Sequence, residues 1–75
     1  MDIYEFTKQL AEQFDDTDPS EIKPDTKFQE LEDWSSLTAM GIIAFVKTIY
    51  GKEITGLEIR SCSTVADLFR IVSNK

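Results

Sequence analysis

Apolar residues recur at intervals of three and four near the start of the chain and again in its middle, the pattern of helices with buried faces. The first such stretch predicts a helix over residues 3–14. Its buried side is expected to carry Ile3, Phe6, Leu10 and Phe14. The second stretch predicts a longer helix over residues 36–50, followed by Gly51 as its C-terminal cap.

Two further helical segments are predicted in the last third of the chain. Residues 55–59 indicate a single short turn. The last helix starts at Thr64, which with Asp67 forms a capping-box pattern that has Asp in place of Glu. Its apolar stripe consists of Val65, Leu68, Phe69, Ile71 and Val72. No stretch predicts a pair of strands, so we expect a small all-α four-helix bundle, three helices long and one short, as one domain over residues 1–75.

A long connection, from about residue 15 to residue 35, separates the first two predicted helices. Pro19 after Asp18 predicts a short capped turn, and Pro24 favours extended backbone at the residue before it. The apolar anchors of the connection are expected to be Ile22, Phe28 and Leu31. A loop of this length is uncommon in so small a domain and often has a function.

Charge is distributed unevenly and indicates a basic partner. The 75 residues carry a net charge of -6, but residues 12–33 alone hold nine acidic residues and two lysines. An acidic surface repels nucleic acid and favours basic protein surfaces. No apolar run reaches about 18 residues, so no membrane span is predicted. The first residues lack the pattern of a signal peptide, and a cytoplasmic location is therefore expected.

The chain has no histidine and one cysteine, which excludes several kinds of chemistry. Without histidine there is no Ser-His or Cys-His nucleophilic pair and no imidazole ligand for a metal. Cys62 is expected to pack as a small apolar residue just before the last helix. The acidic cluster of Asp15, Asp16 and Asp18 lacks the glycine and the distal glutamate of a calcium-binding loop. We therefore predict no catalytic residues and no metal site.

The segment Trp34-Ser35-Ser36-Leu37 lies where the long connection meets the second predicted helix. The first backbone N–H groups of a helix have no partner within it, and together with the helix dipole they favour an anion. A lone serine at such a position is ordinarily explained as a helix cap. A hydroxyl at a helix start also lies where another protein can reach it.

Several short motifs follow one another along nearly the whole chain. After the amphipathic first helix come Ile22, Pro24-Asp25-Thr26-Lys27-Phe28 and Leu31. Then follow Ser36-Leu37, Tyr50-Gly51-Lys52-Glu53-Ile54 and Thr64-Val65-Ala66-Asp67-Leu68. Each motif is weak alone, but together their order and spacing resemble those of the acyl carrier protein family, the phosphopantetheine-binding carrier proteins.

The resemblance implies a function, a cofactor and partners. In that family the serine directly before the leucine receives 4′-phosphopantetheine from coenzyme A, and the thiol of this arm carries acyl groups as thioesters. By position this implies Ser36, with Ser35 as the less favoured register. The implied partners are a phosphopantetheinyl transferase (carrier-protein synthase) and the acyl-loading and condensing enzymes of a fatty-acid, polyketide-like or specialised lipid pathway. The chain would serve them as a monomeric, non-catalytic cosubstrate.

The chain departs from the usual family pattern at two places. The residue before the modified serine is usually Asp, whereas Ser35 stands here and offers no carboxylate to the transferase. The second helix usually carries acidic residues that meet basic partners, whereas residues 35–46 here carry no charge. A bundle this small cannot enclose one helix completely. We therefore expect Leu37, Met40 and Ala44 to face partners and Ile42, Ile43, Val46 and Tyr50 to face inward.

The sequence allows more than one interpretation of Trp34, of Gly41 and of the function. Trp34 is expected either to contact a partner or the arm, or to pack over the loop. Gly41 is expected to admit a close neighbour, either another helix or an acyl chain. The alternatives to an acyl carrier are a carrier for an aminoacyl or polysaccharide-modifying group, and an unmodified helical interaction module. Peptidyl carriers usually have a Gly-Gly pair shortly before the serine, which this chain lacks.

Overall fold

The fold is built from four α-helices, and the computed structural model describes residues 2–75, which contain no β-strand. The helices are α1 (Ile3–Ala11), α2 (Ser36–Phe45), α3 (Gly56–Arg60) and α4 (Val65–Ser73). A π-helical turn (Val46–Tyr50) extends α2, and two 3₁₀ turns (Pro19–Glu21 and Phe28–Glu30) lie in the long connection. The predicted small all-α bundle is therefore confirmed, including the short third helix.

Polar side chains mark where the helices begin. The N-terminal capping residues of α1 to α4 are Asp2, Ser35, Thr55 and Thr64. At α4 the Thr64 hydroxyl accepts from the Asp67 backbone N–H at 3.2 Å, and the Asp67 carboxylate accepts from the Thr64 N–H at 3.1 Å. The capping box predicted there, with Asp in the role of Glu, is confirmed.

The first helix ends three residues before the predicted boundary, at Ala11 instead of residue 14. The backbone then forms hydrogen bonds between residues three apart. The Gln13 N–H donates to the Leu10 carbonyl at 3.0 Å, and the Phe14 N–H donates to the Ala11 carbonyl at 3.1 Å. Phe14 is nevertheless only 5% exposed. The periodicity identified the buried residue but not the helix end, because a 3₁₀-type last turn keeps Phe14 on the buried side.

Aromatic side chains occupy the centre of the core. The Phe6 ring centroid lies 5.6 Å from that of Phe45, 5.8 Å from that of Tyr50 and 5.4 Å from that of Phe69. From α4, Val65, Leu68 and Val72 are buried, whereas Phe69 and Ile71 are partly buried. Cys62 is buried, as predicted, and burial raises the pKa of its thiol.

The π-helical turn after α2 has a packing cause. Residues five apart lie about 140° apart around an α-helix, so Phe45 and Tyr50 could not both face Phe6. Hydrogen bonds from i to i+5 widen the turn and bring such a pair to nearly the same side. The Phe45 and Tyr50 ring centroids are 6.4 Å apart, and the Tyr50 hydroxyl donates to Gln9 Oε1. Gly51 ends this segment as the predicted C-terminal cap, and with φ of 68° its backbone is left-handed.

The long connection is fastened to the bundle along its length. Ile22 and Phe28 are buried anchors, as predicted, and Leu31 packs on the same core while partly exposed. Gln29 Nε2 donates to the Ile59 carbonyl at 2.7 Å and to the Cys62 carbonyl at 2.8 Å, near the end of α3. The predicted capped turn at Pro19 is also present, since the Asp18 side chain accepts from the Ser20 N–H.

The N-terminus of α4 forms backbone hydrogen bonds with the same connection. The Val65 N–H donates to the Thr26 carbonyl at 3.2 Å, and the Ala66 N–H donates to the Pro24 carbonyl at 2.9 Å. The first N–H groups of α4 are therefore satisfied by the loop. Within residues 2–75, none of the helices has the length and apolar character needed to cross a membrane.

Candidate functional site

Ser36 lies on the surface at the first position of α2. Its neighbour Ser35 caps the helix, because the Ser35 hydroxyl oxygen accepts from the Thr38 backbone N–H at 3.2 Å. The Ser36 hydroxyl makes no hydrogen bond with any residue between 2 and 75. The two serines therefore have different roles, and it is Ser36 whose hydroxyl is free to react.

The N-terminus of α2 is open, in contrast to that of α4. The backbone N–H groups of Ser36 and Leu37 find no acceptor among the residues that the structure describes. An anion fixed at this point would lie beside unpaired N–H groups and at the positive end of the helix dipole. The geometry suits a phosphate ester of Ser36.

The outer side of α2 is apolar. Leu37 is 76% exposed, Met40 is 63% exposed and Ala44 is also exposed. All three lie on the side where the sequence predicted them. Of the residues predicted to face inward, Ile42 and Val46 are buried, while Ile43 and Tyr50 are partly buried. An apolar surface of this kind, next to Ser36, is suited to contact with another protein.

Trp34 packs over the loop. Its ring centroid lies 6.2 Å from that of Phe14 and 5.4 Å from that of Phe28, the latter edge-on. The residue is partly buried against the core. Of the two predicted roles, packing is therefore present in the structure, and it holds the segment before α2 in place.

Asp33 fastens the end of the long connection to its beginning. Its carboxylate accepts from the Asp16 backbone N–H at 3.0 Å and from the Thr17 hydroxyl. The Asp33 carbonyl accepts from the Thr38 hydroxyl at 3.3 Å, so the same residue also contacts the first turn of α2. The hydrogen bond from Thr17 is the main cause that lowers the pKa of the Asp33 carboxyl. The sequence indicated Asp33 only as part of the acidic segment, since no local pattern shows which distant N–H it binds.

A groove of about 460 Å³ separates the turn after α1 from α2, and we call it the α1–α2 groove. Its lining includes Gln13, Asp15 and Asp16 on one side and Leu37, Met40 and Gly41 on the other. A Cβ atom on Gly41 would lie 2.6 Å from Gln13 Oε1. The close neighbour of Gly41 is thus the Gln13 side chain from the turn after α1, and not a residue of another helix. The groove itself was not predicted, because it depends on where α1 ends.

No residue of the acidic segment, residues 12–33, forms an ion pair with the described residues. Within residues 2–75 the ion pairs are Lys47–Glu53, Arg70–Asp67 and Lys75–Glu58. All of them lie outside the acidic segment, and they use three of the six basic residues found there. None of its nine acidic side chains forms an ion pair, and all of them except the partly buried Asp33 are exposed.

No protein-family model, curated protein or solved structure matches this chain. What the site can do is therefore inferred from its own geometry. It combines a reachable hydroxyl, an open helix N-terminus, an apolar helix face and an acidic groove.

Proposed function

We propose that this protein is a carrier that holds acyl groups as thioesters on a 4′-phosphopantetheine arm attached to Ser36. The observation that carries the proposal is the exposed, unbonded Ser36 hydroxyl at the open N-terminus of α2. The order of motifs that resembles the acyl carrier protein family supports it, as does the all-helical fold. The cargo would be an intermediate of a fatty-acid, polyketide-like or specialised lipid pathway.

Attachment of the arm is a group transfer from coenzyme A. The Ser36 oxygen forms a bond to the phosphorus that carries pantetheine, the pyrophosphate linkage breaks, and the nucleotide half leaves. The hydroxyl proton passes to a base of the phosphopantetheinyl transferase. The resulting phosphodiester lies beside the free N–H groups of Ser36 and Leu37. The helix dipole stabilises such a negative charge by about 0.3–1 kcal/mol.

Recognition by partners would combine apolar contact with electrostatic attraction. Leu37, Met40 and Ala44 offer the apolar contact beside Ser36. The acidic segment attracts basic surfaces from a distance. Because α2 itself carries no acidic residue, we propose a specialised set of loading and condensing enzymes and not those of general fatty-acid synthesis. The carrier itself has no catalytic role and serves as their cosubstrate.

Intact-mass measurement after incubation with coenzyme A and a promiscuous phosphopantetheinyl transferase tests the proposal. The native chain should gain the mass of one phosphopantetheine group. Ser36→Ala should gain nothing, whereas Ser35→Ala should still be modified because its Ser36 hydroxyl remains. An unchanged mass with several transferases would instead support an unmodified interaction module on the same fold.

A further inference from the structure

We infer that the α1–α2 groove is a docking site for a partner protein that inserts an arginine side chain between the acidic segment and the outer side of α2. The inference rests on the proposed function, since it specifies the surface by which partners recognise the carrier. Ser36 is not among the residues that line the groove, although its neighbours Ser35 and Leu37 are.

The polar side chains of the groove offer hydrogen-bond acceptors. Gln13 Nε2 donates to the Gln9 carbonyl at 3.3 Å, which leaves Gln13 Oε1 above Gly41 as an acceptor. The carboxylates of Asp15 and Asp16 form no hydrogen bond or ion pair with any residue between 2 and 75. A matching ligand must therefore supply several donors and a positive charge.

The hydroxyl groups at the edge of the groove do not compete for this role. The Thr38 hydroxyl donates to the Asp33 carbonyl at 3.3 Å. The Ser35 hydroxyl oxygen accepts from the Thr38 N–H and lies 3.2 Å from the Thr38 hydroxyl. Both are held in the cap of α2, which leaves the carboxylates and the Gln13 amide oxygen to bind the ligand.

The opposite wall of the groove favours arginine over lysine. Leu37 and Met40 are 76% and 63% exposed and present aliphatic surface beside the acceptors. A guanidinium has five donors in a plane, is weakly hydrated, and packs its flat face and methylene stem on apolar groups. An ammonium is a compact, strongly hydrated charge with three donors, and it loses more hydration next to aliphatic side chains.

The charge of the acidic segment supports the same partner. The nine acidic residues and two lysines of residues 12–33 have no ion-pair partners, so a cation in the groove meets no competing cation there. Attraction between opposite charges accelerates association with the partner protein. Contacts within the groove then determine which partner side chain binds there. The combination of acceptors, aliphatic surface and negative charge fits an arginine flanked by apolar residues.

Titration of the ¹⁵N-labelled, unmodified chain with blocked Leu-Xaa-Leu peptides tests this inference. The probes carry arginine, lysine or the uncharged arginine analogue citrulline at the middle position. We expect the arginine peptide to shift the amide signals of Gln13, Asp15, Asp16 and Gly41 and to bind more tightly than the lysine peptide. The citrulline peptide should produce little change. Ser36→Ala should bind the arginine peptide as the native chain does.

A matched pair of double variants separates the groove from general attraction. Asp15→Asn with Asp16→Asn should weaken binding of the arginine peptide by about fivefold or more. Asp25→Asn with Glu30→Gln removes two charges from the same segment outside the groove and should change it less than about twofold. Equal effects of the two pairs, equal binding of arginine and lysine, or an unmoved Gly41 signal would overturn the inference. These measurements need neither coenzyme A nor Ser36. A negative result would therefore overturn the docking inference without contradicting the carrier proposal.

Discussion

The carboxylate of Asp33 accepts a hydrogen bond at 3.0 Å from the backbone N–H of Asp16, which lies 17 residues earlier in the chain. This bond joins the two ends of the long connection. Asp33 is followed directly by Trp34 and by the capping Ser35, so the bond also holds the segment that leads to Ser36. One carboxylate thus links the acidic segment to the start of α2.

Asp33→Asn should reduce stability in a pH-dependent way. The Thr17 hydroxyl, with the Asp16 N–H, lowers the pKa of Asp33 in the folded state. A carboxyl of this kind stabilises the fold above its unfolded-state pKa of about 3.9 and loses this contribution as pH falls through the lower folded-state value. The variant should therefore be less stable than the native chain at pH 7, and the difference should shrink as pH falls from about 5 to about 3.

Urea unfolding followed by the fluorescence of Trp34, the single tryptophan, measures this difference at each pH. Asp25→Asn is the control, because the Asp25 carboxylate makes no hydrogen bond with residues 2–75, and it should track the native chain throughout. A gap between Asp33→Asn and the native chain that stays constant with pH would show that the charge of Asp33 is not its cause.

Trp34→Ala should be far more destabilising than Leu37→Ala. Trp34 packs against Phe14 and Phe28, whereas Leu37 is 76% exposed. Truncation of the partly buried ring should lower the free energy of unfolding by about 2–3 kcal/mol, and the leucine change by less than about 0.5 kcal/mol. Unfolding followed by circular dichroism measures both variants. Similar losses would mean that Trp34 does not hold the loop.

Gly41→Ala should have an effect that depends on Gln13. Alanine in a helix interior is favoured over glycine by up to about 1 kcal/mol. The new Cβ would lie 2.6 Å from Gln13 Oε1, so the Gln13 side chain must move and part of the gain is lost. The same substitution made in a Gln13→Ala background should stabilise more, by about 0.5 kcal/mol. Equal gains in both backgrounds would contradict the observed contact.

Ser35 should tolerate aspartate better than alanine. Ser35→Ala removes the hydroxyl oxygen that caps α2 and should cost about 1 kcal/mol, whereas aspartate caps a helix about as well as serine. If the transferase uses a carboxylate at this position, Ser35→Asp should also be modified several-fold faster by a generic transferase. Denaturation curves and initial rates measure the two effects separately. An unchanged rate would show that the missing carboxylate does not limit recognition.

Much of the fold follows from local patterns in the sequence. The capping box of Thr64, the left-handed cap at Gly51 and the buried Phe14 each depend on residues close in the chain, and each is present. The exposed positions of Leu37 and Met40 follow from helical periodicity in a bundle too small to enclose α2.

The features that the sequence did not predict depend on contacts between distant residues. The early end of α1 allows Gln13 to lie over Gly41 and opens the α1–α2 groove. The π-helical turn reflects the need of Tyr50 to pack on Phe6 from the first helix. The role of Asp33 depends on a partner 17 residues away, and no local propensity encodes such a pairing.

The attachment of the arm to Ser36 is tested most directly by tandem mass spectrometry of the modified chain after digestion with trypsin. Cleavage after Lys27 and Lys47 yields one peptide, residues 28–47, that contains both Ser35 and Ser36. We predict that the fragment ions place the phosphopantetheine mass on Ser36 and leave Ser35 unmodified. Fragment ions that place it on Ser35, or a peptide that no transferase modifies, would contradict the account.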